Sequence, residues 1–343
     1  MTVPPAVLTV AGMLTNSLEV AMAQRQAANT PNEAVIAVRG LRKRYGSDEA
    51  VRGIDLEVRR GEIFAFLGPN GAGKTTTVEI LEGFRTATAG TVEVLGADPA
   101  NAPAHWRERI GVVLQESQAE PGLTVRECLQ LYSGYYRAPR PVDETLALVG
   151  LREQADQRAT SLSGGQRRRL DVALALAGDP ELVFLDEPTT GFDPSARRLA
   201  WEVIAGLREI GKTVFLTTHY MDEAERLADR IAVIAAGRIV ASGTPQTLGD
   251  RNLSAARISL TLPHDASIRD LPEPLAERAQ GQGGGHVLIE SHTVAADLHA
   301  LSGWALARGF DLDDLDVTRP TLEDVYLSLT QSETATETAR SQR

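Results

Sequence analysis

The chain has a single cysteine, Cys128, in 343 residues. An internal disulfide is therefore excluded, as is a zinc site built from cysteines, and a reducing compartment is the simplest setting. Histidine is scarce too. His105, His264, His286, His292 and His299 show neither an i,i+4 pair nor other metal-site spacing. An excess of positive charge is missing: 46 acidic residues against 35 basic ones give a formal charge of −11. That balance argues against a general polyanion binder, and no nucleic-acid partner is expected. No run approaches the roughly 20 apolar residues that cross a bilayer. The longest candidate, Val172 to Ala177, belongs to an amphipathic helix. Ala6 to Leu14 is apolar but lacks the basic flank and cleavage pattern of a secretion signal. What these absences leave is a soluble, cytoplasmic chain of about two domains.

Within it, one stretch carries most of the chemistry. Gly68-Pro69-Asn70-Gly71-Ala72-Gly73-Lys74-Thr75-Thr76 fits the pattern G-x-x-x-x-G-K-[ST]. Glycines let the backbone aim successive N–H groups at phosphate oxygens, and a helix starting near Lys74 adds its positive end. Lys74 is the point charge for the β- and γ-phosphates, and Thr75 offers its hydroxyl to Mg²⁺. The apolar run Glu62 to Leu67 ahead of the loop, and Val78 and Leu81 after it, give the required strand, loop and helix.

Further along, apolar strands deliver polar residues at their ends. Ile110 to Leu114 runs into Gln115, Leu182 to Leu185 delivers Asp186 and Glu187, and Thr213 to Thr218 ends in His219. In an α/β domain ligands bind beyond the carboxyl ends of the strands. Asp186 can hold Mg²⁺ while Glu187 polarises the water that attacks the γ-phosphate. His219 can contact that phosphate or water, although a lone His is commonly structural, and Gln115 alone reads as a loop residue. Leu123 to Tyr136 and Val142 to Leu151 read as helices inserted into this domain. Ser163, an N-cap, and Gly164 and Gly165 open a helix with a second anion-binding end. Arg167, Arg168 and Arg169 follow; such runs are usually solvated faces, and these also favour a nearby anion. Tyr45 lies between the short β runs 35–38 and 54–58 and can stack on a base or simply pack. Asp193 in Gly191-Phe192-Asp193-Pro194 reads as the cap of the next helix.

Taken in order, the phosphate loop, Gln115, Leu162-Ser163-Gly164-Gly165-Gln166, Leu185-Asp186-Glu187-Pro188, Gly191-Phe192-Asp193-Pro194 and His219 resemble the ATP-binding cassette (ABC) transporter ATPases over about residues 35–245. The resemblance implies an α/β P-loop NTPase cassette, with a mostly parallel sheet core, an antiparallel β subdomain and a helical signature subdomain. It implies ATP and Mg²⁺ as cofactors. Tyr45 then matches the residue that stacks on adenine, Gln115 the one that senses Mg²⁺, Glu187 the catalytic base and His219 the switch histidine. The signature residues Ser163, Gly164, Gly165 and Gln166, with Asp193, would close over ATP held by an opposite cassette. With one copy of each motif, a homodimer is expected. Phe192 departs from the family's usual Leu. Residues 218–225, the close at Gly243-Thr244-Pro245 and the motif around Arg319 to Tyr326 look like exporter ATPases of the ABC-2 type, of which daunorubicin-resistance ATPases are best known. This subfamily implies a separate membrane permease, attachment to the cytoplasmic face of the membrane, and a drug-like, lipid or polysaccharide-precursor cargo. A non-transport cassette is the competing reading, but the interval from Gly68 to Ser163 has no heptad run. A non-hydrolysing regulator is a second competitor, opposed by the intact Lys74, Asp186 and Glu187.

The predicted organisation is a disordered extension over 1–32, the cassette over 33–245 with its helical part at 116–178, a linker at 246–255, a small α+β domain at 256–330 and a disordered tail over 331–343. In the small domain Arg257 to Leu262 reads as an edge strand, His286 to Glu290 as a second strand and Val294 to Arg308 as a helix.

Overall fold

The computed structural model describes residues 33–113, 122–250, 255–312, 314–319 and 321–327. The expectations for 1–32, for Gln115, for the tail 331–343 and for residues 251–254 of the linker lie outside these residues.

The chain forms two compact units whose division, between Ile239 and Val240, falls within the strand Arg238–Gly243 and ahead of the predicted close at Pro245. The first is built on a six-stranded sheet in the order β5-β6-β7-β3-β8-β9. Its strands are β3 (Ile63–Leu67), β5 (Ile110–Val113), β6 (Leu182–Asp186), β7 (Thr213–Thr218), β8 (Arg230–Ala235) and β9 (Arg238–Gly243). The pairings β5–β6, β6–β7, β7–β3 and β3–β8 are parallel. β8 turns into β9 through Ala236 and Gly237, both at positive φ, as a two-residue hairpin turn requires.

Parallel strands covered on both faces read as continuous apolar runs, and successive residues serve opposite sides. Val183, Leu185, Val214 and Leu216 pack into one core with the helices; Leu182, Phe184 and Phe215 pack into the other. In that second core Phe215 meets Phe64, Phe66 and Phe184 at centroid distances of 5.7, 5.7 and 5.6 Å. A three-stranded antiparallel sheet, ordered β2-β1-β4, packs into it together with Val78, Ile80, Leu81 and Trp106. Here β1 (Ala34–Tyr45) and β2 (Asp48–Arg59) are much longer than the short β runs the sequence pattern predicts, and β4 (Ala89–Val94) pairs with β1. Tyr45 thus ends a strand at a tight turn, and Gly53 lies within β2.

α1 (Lys74–Leu81) follows β3, and α2 (Ala104–Arg107) precedes β5. The helical part comprises α3 (Val125–Ser133), α4 (Val142–Leu148) and α5 (Gly164–Ala175), of which α3 and α4 are shorter than expected. α6 (Pro194–Glu209) and α7 (Met221–Leu227) flank β7. Cys128 is buried at 1% exposure in the helical core.

The second unit carries a four-stranded sheet in the order β11-β12-β10-β13. Its strands are β10 (Ala256–Thr261), β11 (Ala279–Gly283), β12 (His286–Ser291) and β13 (Asp316–Thr318), with α8 (Leu275–Arg278) and α9 (Val294–Arg308). β10 is central, not an edge: Ile258 faces Ile289 on one side and Val317 on the other. Period-two alternation reports which face is buried and is silent about how many neighbours a strand has.

Candidate active site

The parallel sheet sets the site's geometry. β6, β7 and β3 are successive neighbours, so the ends of three strands lie side by side, with Leu67 opposite Thr218 and Asp186 opposite Thr217. From β3 the chain turns through Gly68 to Gly73 into α1. At Gly68 a Cβ would lie 2.4 Å from the Ile234 carbonyl oxygen, so only glycine fits. Gly73, the N-cap, has φ 102°, and its Cβ would lie 2.5 Å from the Ala50 oxygen.

Lys74 is folded back into the loop, 7% exposed, and its Nζ donates to the Gly68 and Pro69 oxygens at 2.6 and 3.3 Å. Burial pulls its ammonium below the ordinary lysine range, while Glu187 and Asp186 act in the opposite sense. A cavity of about 460 Å³ joins these groups: Lys74, Thr75 and Thr76 with Asp186 and Glu187, bounded by Pro69 to Gly73 and Ala50. It is polar, as a phosphate site must be. A slightly larger cavity, about 510 Å³, lies at Glu82, Tyr136 and Asp171 and includes no phosphate-loop residue.

The carboxylates are held by different donors. The Thr217 hydroxyl donates to Asp186. Glu187 has φ 43°, a left-handed backbone that is rare outside glycine and costs on the order of 1 kcal/mol. Its N–H donates to the oxygen and the hydroxyl of Thr217, both at 3.1 Å, which holds that conformation. Its Oε2 lies 3.3 Å from His219 Nδ1 and accepts from the Thr190 hydroxyl at 3.2 Å. Thr75 and Asp186 thus place a hydroxyl and a carboxylate in one cavity. This hard-oxygen donor set fits Mg²⁺.

The signature stretch lies outside the cavity. Ser163 caps α5 reciprocally with Gln166: the Gln166 N–H donates to Ser163 Oγ at 3.3 Å, and the Ser163 N–H to Gln166 Oε1 at 2.9 Å. Ser163 and Gly164 are exposed. Behind them, Arg168 is buried and donates to the Asp186 oxygen at 2.8 Å and the Pro188 oxygen at 3.3 Å. Arg167 donates to the Leu162 oxygen, and Arg169 to those of Val149 and Gly150. All three thus reach carbonyl oxygens, with Arg168 buried, Arg169 partly buried and Arg167 still exposed as on a solvated face. The reason is the run's place at the start of α5, against backbone whose carbonyls need donors.

A family model described as ABC transporter matches residues 51–190, and one described as ABC transporter domain-containing protein-like, C-terminal domain, matches residues 256–321. The Nod factor export ATP-binding protein I of Ralstonia nicotianae is 39% identical over 313 residues, covering 87% of this chain and 94% of its own length. The chain belongs to the ABC transporter ATP-binding proteins. The protein of the same description from Cupriavidus metallidurans is 40% identical over 309 residues, 88% of this chain and 98% of its own. Among solved structures, cbiO1 of Clostridium perfringens, part of the ABC transporter complex cbiONQ, matches at TM-score 0.57 and 28% identity over 62% of this chain and 90% of its own. The dimeric post-hydrolysis state of the cassette MJ0796, bound to ADP and Pi, matches at 0.54 and 26% over 61% and 98%. The narrower likeness to daunorubicin-resistance ATPases is not carried by these relatives, which are described by Nod factor export.

The ABC ATPase therefore gathers Pro69, Asn70, Gly71, Gly73, Lys74, Thr75, Thr76, Asp186 and Glu187 around one cavity, with His219 beside Glu187. Gly68 and Ala72 shape the loop from behind. Tyr45 stands 41% exposed at its hairpin, with Lys43 and Arg85 against the ring. Asp193 caps α6, accepting from the Ser195 and Ala196 N–H groups at 2.8 and 2.9 Å. Sequence reasoning missed Thr217, Thr190 and Arg168. A threonine at the end of an apolar strand, or one arginine of three, carries no local signal that separates it from its neighbours.

Proposed function

We propose that this ABC ATPase works as a homodimer and powers export through a separate ABC-2 type membrane permease. The observation that carries the hydrolytic part is the single cavity uniting Lys74, Thr75, Asp186 and Glu187. Lys74 and the loop N–H groups hold the phosphates of ATP. Thr75 and Asp186 would hold Mg²⁺, which supplies charge neutralisation at the phosphates when bound. With Oε2 engaged by His219 and Thr190, Glu187 presents Oε1 to the attacking water and takes its proton. His219 orients Glu187 and meets the γ-phosphate.

Ser163, Gly164, Gly165 and Gln166 then serve a second copy. The exposure of Ser163 and Gly164 at the start of α5, with all four residues away from their own chain's cavity, supports this reading, as does the dimeric state of MJ0796. A separate permease, with the ATPase peripheral on the cytoplasmic face, is supported by the lack, among the described residues, of any helix long and apolar enough to cross a membrane. Export is supported by the relatives described as Nod factor export ATP-binding proteins. A drug-like molecule, a lipid or a polysaccharide precursor is the proposed cargo, to be separated by transport assays in vesicles that contain the permease.

Glu187→Gln tests the core of the reading. It is expected to keep ATP binding, to trap an ATP-bound dimer on size exclusion and to cut hydrolysis by about 10²-fold or more. Hydrolysis at the wild-type rate would sink Glu187 as the base.

A further inference from the structure

Behind the cavity lies a carboxylate that the hydrolytic reading leaves unused. Glu223, in the first turn of α7, has no exposed surface. Its Oε1 accepts from the Thr189 hydroxyl at 2.9 Å and from Trp201 Nε1 at 3.0 Å, while its Oε2 is buried without a hydrogen-bond partner. Burial raises its pKa above the ordinary range, against these donors. Placing a carboxyl where an apolar side chain would pack without penalty needs a reason.

The partners supply one. Thr189, itself fully buried, follows Glu187 by two residues on the chain leaving β6. Thr218 immediately precedes His219 at the end of β7, and α7 starts two residues after that histidine. Trp201 lies on α6, the helix that Asp193 caps. One buried carboxyl therefore ties together the segments that leave Glu187 and His219, the two groups 3.3 Å apart at the cavity.

We propose that Glu223 is a positioning residue for hydrolysis, which sets His219 against Glu187 by holding Thr189 and α7 in one frame and links that pair to α6 through Trp201. This rests on the assignment of Glu187 and His219 above. Glu223 has no exposed surface and does not line the cavity, so its removal acts through Glu187 and His219.

The test uses the purified full chain, with ATP turnover and KM measured for Glu223→Leu, Glu223→Gln and Thr189→Val, each alone and in a His219→Ala background. Glu223→Leu, which keeps volume but removes the acceptor, is expected to lower kcat about 10-fold with KM for ATP within about 2-fold, the size of a modest misplacement. Glu223→Gln retains the acceptor and is expected to restore kcat to within about 3-fold of wild type, with Thr189→Val between the two. In the His219→Ala background, Glu223→Leu should remove less than about 2-fold more, because groups acting as one unit are not additive. A full further 10-fold loss there, a rise in KM at unchanged kcat, or equal damage from Gln and Leu would each overturn the proposal. Where Glu223→Leu fails to fold, Thr189→Val decides, and unchanged turnover in that variant overturns it. The base assignment fails separately, on wild-type turnover by Glu187→Gln, so the two outcomes are distinguishable.

Discussion

Glu82 should make the first unit lose stability as pH rises, and Glu82→Gln should abolish that loss. Glu82 sits at the C-terminal end of α1 with 6% exposure. Burial, with repulsion from Asp186 and Glu79, pushes its carboxyl from 4.5 up to about 8. An acid with a raised folded pKa keeps its proton in the native state where the unfolded chain has lost it. The native state then binds more protons, and stability falls as pH increases through the window from 4.5 to about 8. At roughly 1.4 kcal/mol per pH unit, the penalty carried by Glu82 at neutral pH is about 3 kcal/mol. Glu82→Gln replaces the neutral acid by a neutral amide of the same shape. The variant should therefore match wild type near the lower end of the window and exceed it by about 3 kcal/mol at neutral pH. Urea unfolding across the pH range, followed by tryptophan emission in a Trp304→Phe background, confines the signal to Trp106 and Trp201 of the first unit. Parallel pH profiles for wild type and variant would refute the reasoning, because only the titration of Glu82 separates the two proteins.

Gly73→Ala drives a Cβ against the Ala50 oxygen at a φ that side chains rarely adopt. It should abolish ATP binding by isothermal titration and lower stability by about 1–3 kcal/mol in urea unfolding. Arg168→Met leaves the Asp186 and Pro188 carbonyls without their donor. A loss of about 1–3 kcal/mol in urea unfolding, with turnover falling more than ATP affinity, is expected. Asp193→Ala should lower stability by about 1 kcal/mol through the lost cap of α6, while Asn, which still caps, should not. A turnover loss in Asp193→Asn at unchanged stability would show that Asp193 also acts across the dimer.

The apolar strands and the residues at their ends were legible because each strand is fully buried and short, so its exit into a polar residue is abrupt. Asp186 and Glu187 stand out for that reason, whereas Lys74 is read from the pattern G-x-x-x-x-G-K-[ST] and His219 is raised above an ordinary histidine only by the family resemblance. β1 and β2 were only partly legible, since their outer halves alternate with charged residues such as Arg42, Arg44 and Glu49 and carry no continuous apolar signal. The place of β10 inside its sheet depends on partners far away in the chain, which local alternation does not encode. Arg168 looked like its neighbours because one-in-three burial on a helix turn is decided by what packs there. Glu223 was hidden for the opposite reason: a glutamate near a helix start reads as an exposed, dipole-favoured acid.

The strand order β6-β7-β3 has a metric consequence. Strands repeat at about 4.8 Å, so the loop leaving β3 and the carboxylate leaving β6 stand about 10 Å apart, with β7 between them. The sheet thus works as a ruler whose marks are strands, and the interval it measures has room for a terminal phosphoryl group and one water. One extra residue within β6 would not slide Glu187 gently along that scale. It would turn the strand's exit to the other face of the sheet, and the carboxylate would leave the ruler altogether.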